Sequence, residues 1–188
     1  PLGVPKSLKN TVYPFNYNDF DQLNEICKNN DIGVIKMEVV RNIGPKDNFL
    51  HKVRDLASKK GIILIFDECT SGFRETFGGI HKKYSVNPDI AMFGKTIGNG
   101  YALTAVVGKK EFMSSVESTF ISSTFWTERI GPTAALKTLE IMESIKSWEI
   151  ITKIGKVVRK SWKKISDTYK IPITIEGIPS LSSYRFNN

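Results

Sequence analysis

The run "IILIF", residues 62–66, is apolar at every position and ends directly on the acidic pair Asp67 and Glu68, followed by a Thr-Ser-Gly turn. A strand with one solvated face alternates apolar and polar residues, whereas an unbroken apolar run predicts a strand inside a parallel sheet covered on both faces. A carboxylate at the end of such a strand stands where ligands gather in open α/β sheets, at the carboxyl ends of the strands. Two readings of Asp67 follow. It holds a magnesium ion, as in nucleotide hydrolases, or it holds a protonated ring nitrogen.

The surrounding segments extend the α/β pattern. "NDFDQLNEICKNN" offers Asn18 or Asp19 as a helix cap, with Phe20, Leu23 and Ile26 at helical spacing. "GVIKMEVV" predicts a strand. "DNFLHKVRDLASKKG" predicts a helix with Phe49, Leu50, Val53 and Leu56 on one face and Gly61 at its end. Helix, strand, helix, strand in this order indicates a mostly parallel sheet with flanking helices. "DIAMFG" and "LTAVVG" are short strands on either side of the glycine-rich "GKTIGNGY". Gly131 to Lys170 is predicted helical with a break near Ser147, and a further strand opens at Ile171.

At 188 residues and 40% hydrophobic content the chain can bury one substantial core. No apolar stretch reaches the roughly 20 residues of a membrane span, and "PLGVPKSLKN" lacks the apolar centre of a signal peptide, so a cytoplasmic protein with no membrane partner is expected. Cys27 and Cys69 cannot form a disulfide framework and lack metal-ligand spacing, which fits a reducing compartment and no metal. The net charge is +8, but residues 137–170 hold nine Lys/Arg against four Asp/Glu, so +5 sits on one stretch of amphipathic helix. A solvated helical face accounts for it, and no nucleic-acid partner is expected.

The magnesium reading needs a GxxxxGK[ST] phosphate loop. "DIAMFGKT", residues 89–96, ends correctly but has Asp89 at the first glycine and lies after the acidic strand instead of before it. Pyridoxal phosphate chemistry explains the same residues differently. That cofactor needs a lysine to form an imine with its aldehyde and an acid on its ring nitrogen to keep the ring an electron sink. Lys95, just after "IAMFG", and Asp67, just after "IILIF", supply that pair at two strand ends that can point into one crevice.

The stretches "LIFDECTSGFRETFGG", "PDIAMFGKTIGNGYALTAVVG" and "FISSTFWTERIGPTAALKTLE" resemble the class III pyridoxal-phosphate aminotransferases, nearest to the glutamate-1-semialdehyde aminomutase branch. The resemblance implies the second half of the large domain of a fold-type I transferase over residues 1–170, and the start of a truncated small domain over 171–188. It implies a fragment of a chain more than twice as long, with the main phosphate loop in the other part. By the same resemblance, Asp67 is the ring-nitrogen carboxylate and Lys95 the Schiff-base lysine. Cys69 packs on the ring where a valine is more usual. Thr124 reaches the cofactor phosphate across a homodimer interface, with Ser123 or Thr127 as alternatives. The implied substrate is a small amino or keto metabolite, and a catalytically silent domain of the same fold is the alternative.

Other residues read more simply. Glu68 is structural, Gly98 and Gly100 permit tight backbone geometry, and His51 and His81 are surface or packing residues. Arg74 is either a substrate-carboxylate contact or a structural ion-pair partner. Glu38 at the end of its strand and Asn42 beyond it are candidate pocket residues, and Trp126, Trp148 and Trp162 read as packing or interface aromatics.

Overall fold

A computed structural model describes residues 3–121, 124, 125 and 127–187. After the first short turns comes α1 (Phe20–Asn29), capped by Asp19, whose side chain accepts the Gln22 N–H at 2.9 Å. Then follow β1 (Val34–Glu38), α2 (Phe49–Lys60), β2 (Ile63–Asp67), β3 (Ile90–Phe93), β4 (Ala105–Gly108) and the single turn α3 (Lys110–Met113). Gly61 ends α2 in the left-handed conformation at φ 68°, which an L side chain resists, and its N–H closes on the Ala57 and Ser58 carbonyls. Two long helices, α4 (Ile130–Ile145) and α5 (Ser147–Tyr169), break at Lys146, which adopts φ 50° and ψ 52°. The antiparallel pair β5 (Ile173–Glu176) and β6 (Ser183–Phe186) closes the described chain.

The main sheet runs β1-β2-β3-β4, with β1, β2 and β3 parallel and β4 antiparallel to β3. Register places Met37 beside Phe66 and Phe66 beside Ala91, so one face carries Ile35, Met37, Leu64 and Phe66 into the core. Against that face α1 and α2 lay Leu23, Cys27, Val53, Leu56 and Ala57, all buried. The other face differs from the expectation of cover on both sides. Val34 and Val106 are about half exposed, and Ile63, Ile65, Ile90 and Met92 are only partly covered. An all-apolar strand signals burial on both faces, yet within the described residues helices cover only one.

A smaller cluster joins Ala91, Phe93, Ile97 and Ala135, fastening the start of α4 beneath the end of β3. The β5–β6 segment is tied to the main body. Gly177 donates its N–H to the Asn42 carbonyl at 2.7 Å, and Ile178 enters the same core as β1 and β2.

Candidate active site

Glu68 and Asp67 are consecutive, and the strand sends them to opposite sides. Glu68 is fully buried and accepts four hydrogen bonds: Ser71 Oγ at 2.6 Å, the Ile80 N–H at 3.0 Å, the His81 N–H at 3.0 Å and His81 Nδ1 at 2.9 Å. Burial pushes its carboxyl up, but these donors outweigh it and hold the group below its ordinary value. Gly79 makes room for this knot, since a methyl there would stand 2.9 Å from Glu68 Oε1. The knot pins both ends of the 68–81 loop, and with it Cys69 and Thr70. Glu68 and His81 are therefore the structural and packing residues expected, whereas His51 is exposed.

Asp67 faces the open side of the sheet. Its Oδ1 accepts the Cys69 N–H at 3.2 Å and its Oδ2 accepts Lys36 Nζ at 2.8 Å. Burial acts to raise its pKa, but the Lys36 and Cys69 bonds prevail and keep it ionised below the usual carboxylate range. Lys36 is raised, first by that same bond. Burial, then Asp67, pushes the Cys69 thiol up.

Lys95 opens a single 3₁₀ turn, Lys95–Ile97, immediately after β3, in the left-handed conformation at φ 49°. Its exposed Nζ donates to Thr70 Oγ1 at 2.6 Å. Gly94 lets the two strand ends approach closely, because a methyl there would lie 3.3 Å from Cys69 Sγ. Asp67, Cys69, Thr70, Gly94 and Lys95 thus form one continuous crest at the carboxyl ends of β2 and β3.

Thr124 lies in an exposed turn, and among the described residues no hydrogen bond links it to this crest. Ser123 and Trp126 lie outside the described residues. Arg74 forms no ion pair among the described residues; its Nε donates to the Thr70 carbonyl at 2.8 Å, steadying the loop beneath Lys95. Glu38 pairs with Arg41 at 3.3 Å on the same open face as Asp67, and Asn42 is exposed, with its carbonyl engaged by Gly177. Trp148 packs on Phe77 and Trp162 on Tyr184. Lys36 and Thr70, which touch the two principal residues, escaped the sequence reading. The signal for Lys36 was a charge two residues before Glu38 in a strand whose alternate positions, Ile35 and Met37, are apolar.

"DIAMFGKT" has no phosphate-loop geometry. Asp89 is buried and holds the Leu64 N–H, Arg54 and Lys109 at 2.8, 2.8 and 2.7 Å, and the Gly-Lys-Thr stretch makes one 3₁₀ turn instead of opening a helix.

A family model for aminotransferase class III matches residues 18–186. The chain belongs to that family. It is 37% identical to a 3-aminobutyryl-CoA aminotransferase of Cloacimonas acidaminovorans over 94% of its own length and 45% of the relative's. A glutamate-1-semialdehyde 2,1-aminomutase of Sulfurisphaera tokodaii is 32% identical over 97% of this chain and 45% of the relative. The chain therefore spans somewhat under half of the curated relatives it matches. Among solved structures, the pyridoxal-phosphate internal aldimine form of a Sphingopyxis FumI protein superposes with TM-score 0.93 at 21% identity, over 99% of this chain and 47% of that one. An omega-transaminase from Sphaerobacter thermophilus gives 0.88 at 22%, over 100% and 44%. At these identities the structural likeness is one of fold: an α/β architecture with a mostly parallel sheet and flanking helices, as the sequence predicted.

Proposed function

We propose that this class III family member carries half of a pyridoxal-phosphate site in an aminotransferase or aminomutase acting on a small amino or keto metabolite. The observation that carries the reading is the crest itself. An ionised carboxylate that already holds a cation and a lysine amine at the next strand end are joined through Cys69 and Thr70. The residues fit the cofactor: Asp67 is a ready acceptor for a ring N–H⁺, and the exposed Lys95 Nζ is held, among the described residues, by the Thr70 hydroxyl.

When bound, pyridoxal phosphate would supply an aldehyde reactive toward amines and a ring able to draw electrons from the adjoining carbon. Asp67 keeps the ring nitrogen protonated, because a charged acceptor favours the charged ring. Lys95 provides the amine for the aldehyde and then moves a proton at its Nζ, with Thr70 Oγ1 orienting it. Cys69 would pack on the ring, and Thr124 would bind phosphate belonging to the neighbouring subunit's site in a cytoplasmic homodimer. Residues 1–170 form the later half of the cofactor-binding domain, and 171–188 begin a smaller one. The names of the relatives support transfer of an amino group.

The test is borohydride reduction of the cofactor-loaded full-length protein followed by peptide mapping. The label is expected on Lys95 and absent in Lys95→Ala. A label on another lysine overturns the assignment.

A further inference from the structure

Lys36 rises from the middle of β1 onto the open face of the sheet, because its neighbours Ile35 and Met37 point into the core. Parallel register sets Lys36 beside Ile65 and Glu38 beside Asp67, so the ammonium reaches forward along the neighbouring strand to Asp67 Oδ2. The other carboxylate oxygen is taken by the Cys69 backbone N–H, which the chain itself holds in place. Lys36 is different: its side chain is 53% exposed on a flexible four-carbon arm. Among the described residues, Lys36 and Cys69 act on Asp67 directly; Glu38 of β1, paired with Arg41, acts on Lys36, and Lys95 from the turn after β3 acts on Cys69.

We propose that Lys36 is a positioning residue that occupies Asp67 Oδ2 as a resident cation and yields it to the protonated ring nitrogen, so that Lys36 sets the protein's affinity for its cofactor. The inference rests on Asp67 being the ring-nitrogen carboxylate. Two positive charges at one carboxylate oxygen repel each other. The exposed arm can move, while a ring anchored through Lys95 cannot. Glu38, on the same face of β1, is the carboxylate toward which the displaced ammonium turns. Lys36 thus keeps Asp67 ionised until the cofactor arrives and costs the cofactor part of its binding energy.

The experiment is titration of pyridoxal phosphate into full-length wild-type, Lys36→Met, Lys36→Arg, Asp67→Asn and Lys36→Met/Asp67→Asn proteins, read as Kd by cofactor absorbance. Lys36→Met keeps the length and apolar stem of the arm and removes the charge. It should tighten binding roughly two- to fivefold, the scale of a partly exposed ion pair. Lys36→Arg, which retains a cation, should stay near wild type. The gain should vanish in the Asp67→Asn background and with the cofactor analogue that has carbon in place of the ring nitrogen. Unchanged or weaker binding by Lys36→Met, or a gain that survives Asp67→Asn, overturns the proposal. If Asp67→Asn binds the cofactor and its carbon analogue as the wild type does, Asp67 does not hold the ring nitrogen, and the assignment beneath the proposal falls.

Discussion

Replacing Glu68 with Gln removes one negative charge from the fully buried knot that pins the 68–81 loop. Glu68 accepts four hydrogen bonds, two on each oxygen. An amide keeps one acceptor oxygen and turns the other position into a donor, so two of the four bonds are lost whichever way it is oriented. Hydrogen bonds to charged groups contribute about 1.5–3 kcal/mol each. With the amide nitrogen toward Ser71, the hydroxyl rotates to accept from it, but the Ile80 N–H is left facing a donor. With the nitrogen toward His81, the His81 N–H is left instead. Allowing about 1 kcal/mol back for the recovered bond, the net loss is about 3 kcal/mol. Equilibrium urea unfolding of wild type and Glu68→Gln measures it directly. The loss carries a pH signature. The folded-state pKa of Glu68 is depressed, so its contribution is present above the unfolded carboxylate value of about 4.3 and is lost as pH falls through the lower folded value. The gap between wild type and variant should therefore be full at pH 7 and close in acid. A difference under about 1 kcal/mol at pH 7, or one that does not shrink in acid, would refute the view that Glu68 acts as a buried anion clamping the loop.

Asp67→Asn should leave the unfolding free energy within about 1 kcal/mol of wild type, because its ion pair is partly exposed, while slowing turnover by orders of magnitude; near-normal rates would return Asp67 to a structural role. Mixing Thr124→Ala with Lys95→Ala subunits should give hybrid dimers in which about half the sites bind cofactor normally, since an across-interface contact places both lesions in one site; impairment of every site would put Thr124 in its own subunit's site. Cys69 should alkylate slowly at neutral pH and faster as pH rises, because burial and Asp67 disfavour its thiolate, and mass spectrometry of iodoacetamide-treated protein measures the rate. Gly155→Ala should destabilise by about 1–3 kcal/mol in urea unfolding, because a methyl on α5 would collide with the Pro179 carbonyl, and limited proteolysis should then cut nearer the β5–β6 pair.

Local chemistry was enough to read much of this molecule from its residues. The Gly61 stop and the end of α4 just before Ser147 depend on neighbours a few positions away, so periodicity and turn residues revealed them, and they narrowed the α1 cap to Asn18 or Asp19, of which the structure uses Asp19. That Asp67 and Lys95 stand at strand carboxyl ends able to share one crevice followed from the same logic, whereas the direct pairing of their two strands is seen only in the sheet order. Contacts distant in sequence were hidden. Nothing near Lys36 announces Asp67, 31 residues away, and only the register of β1 on β2 joins them. Arg54 and Lys109 meet on Asp89 for the same reason, which turned a failed phosphate-loop position into a buried ion-pair centre. Composition also could not tell that, among the described residues, helices cover one sheet face and leave Val34, Ile65 and Met92 partly open, because apolar side chains record the burial a strand is suited to, while the tertiary structure decides which elements supply it.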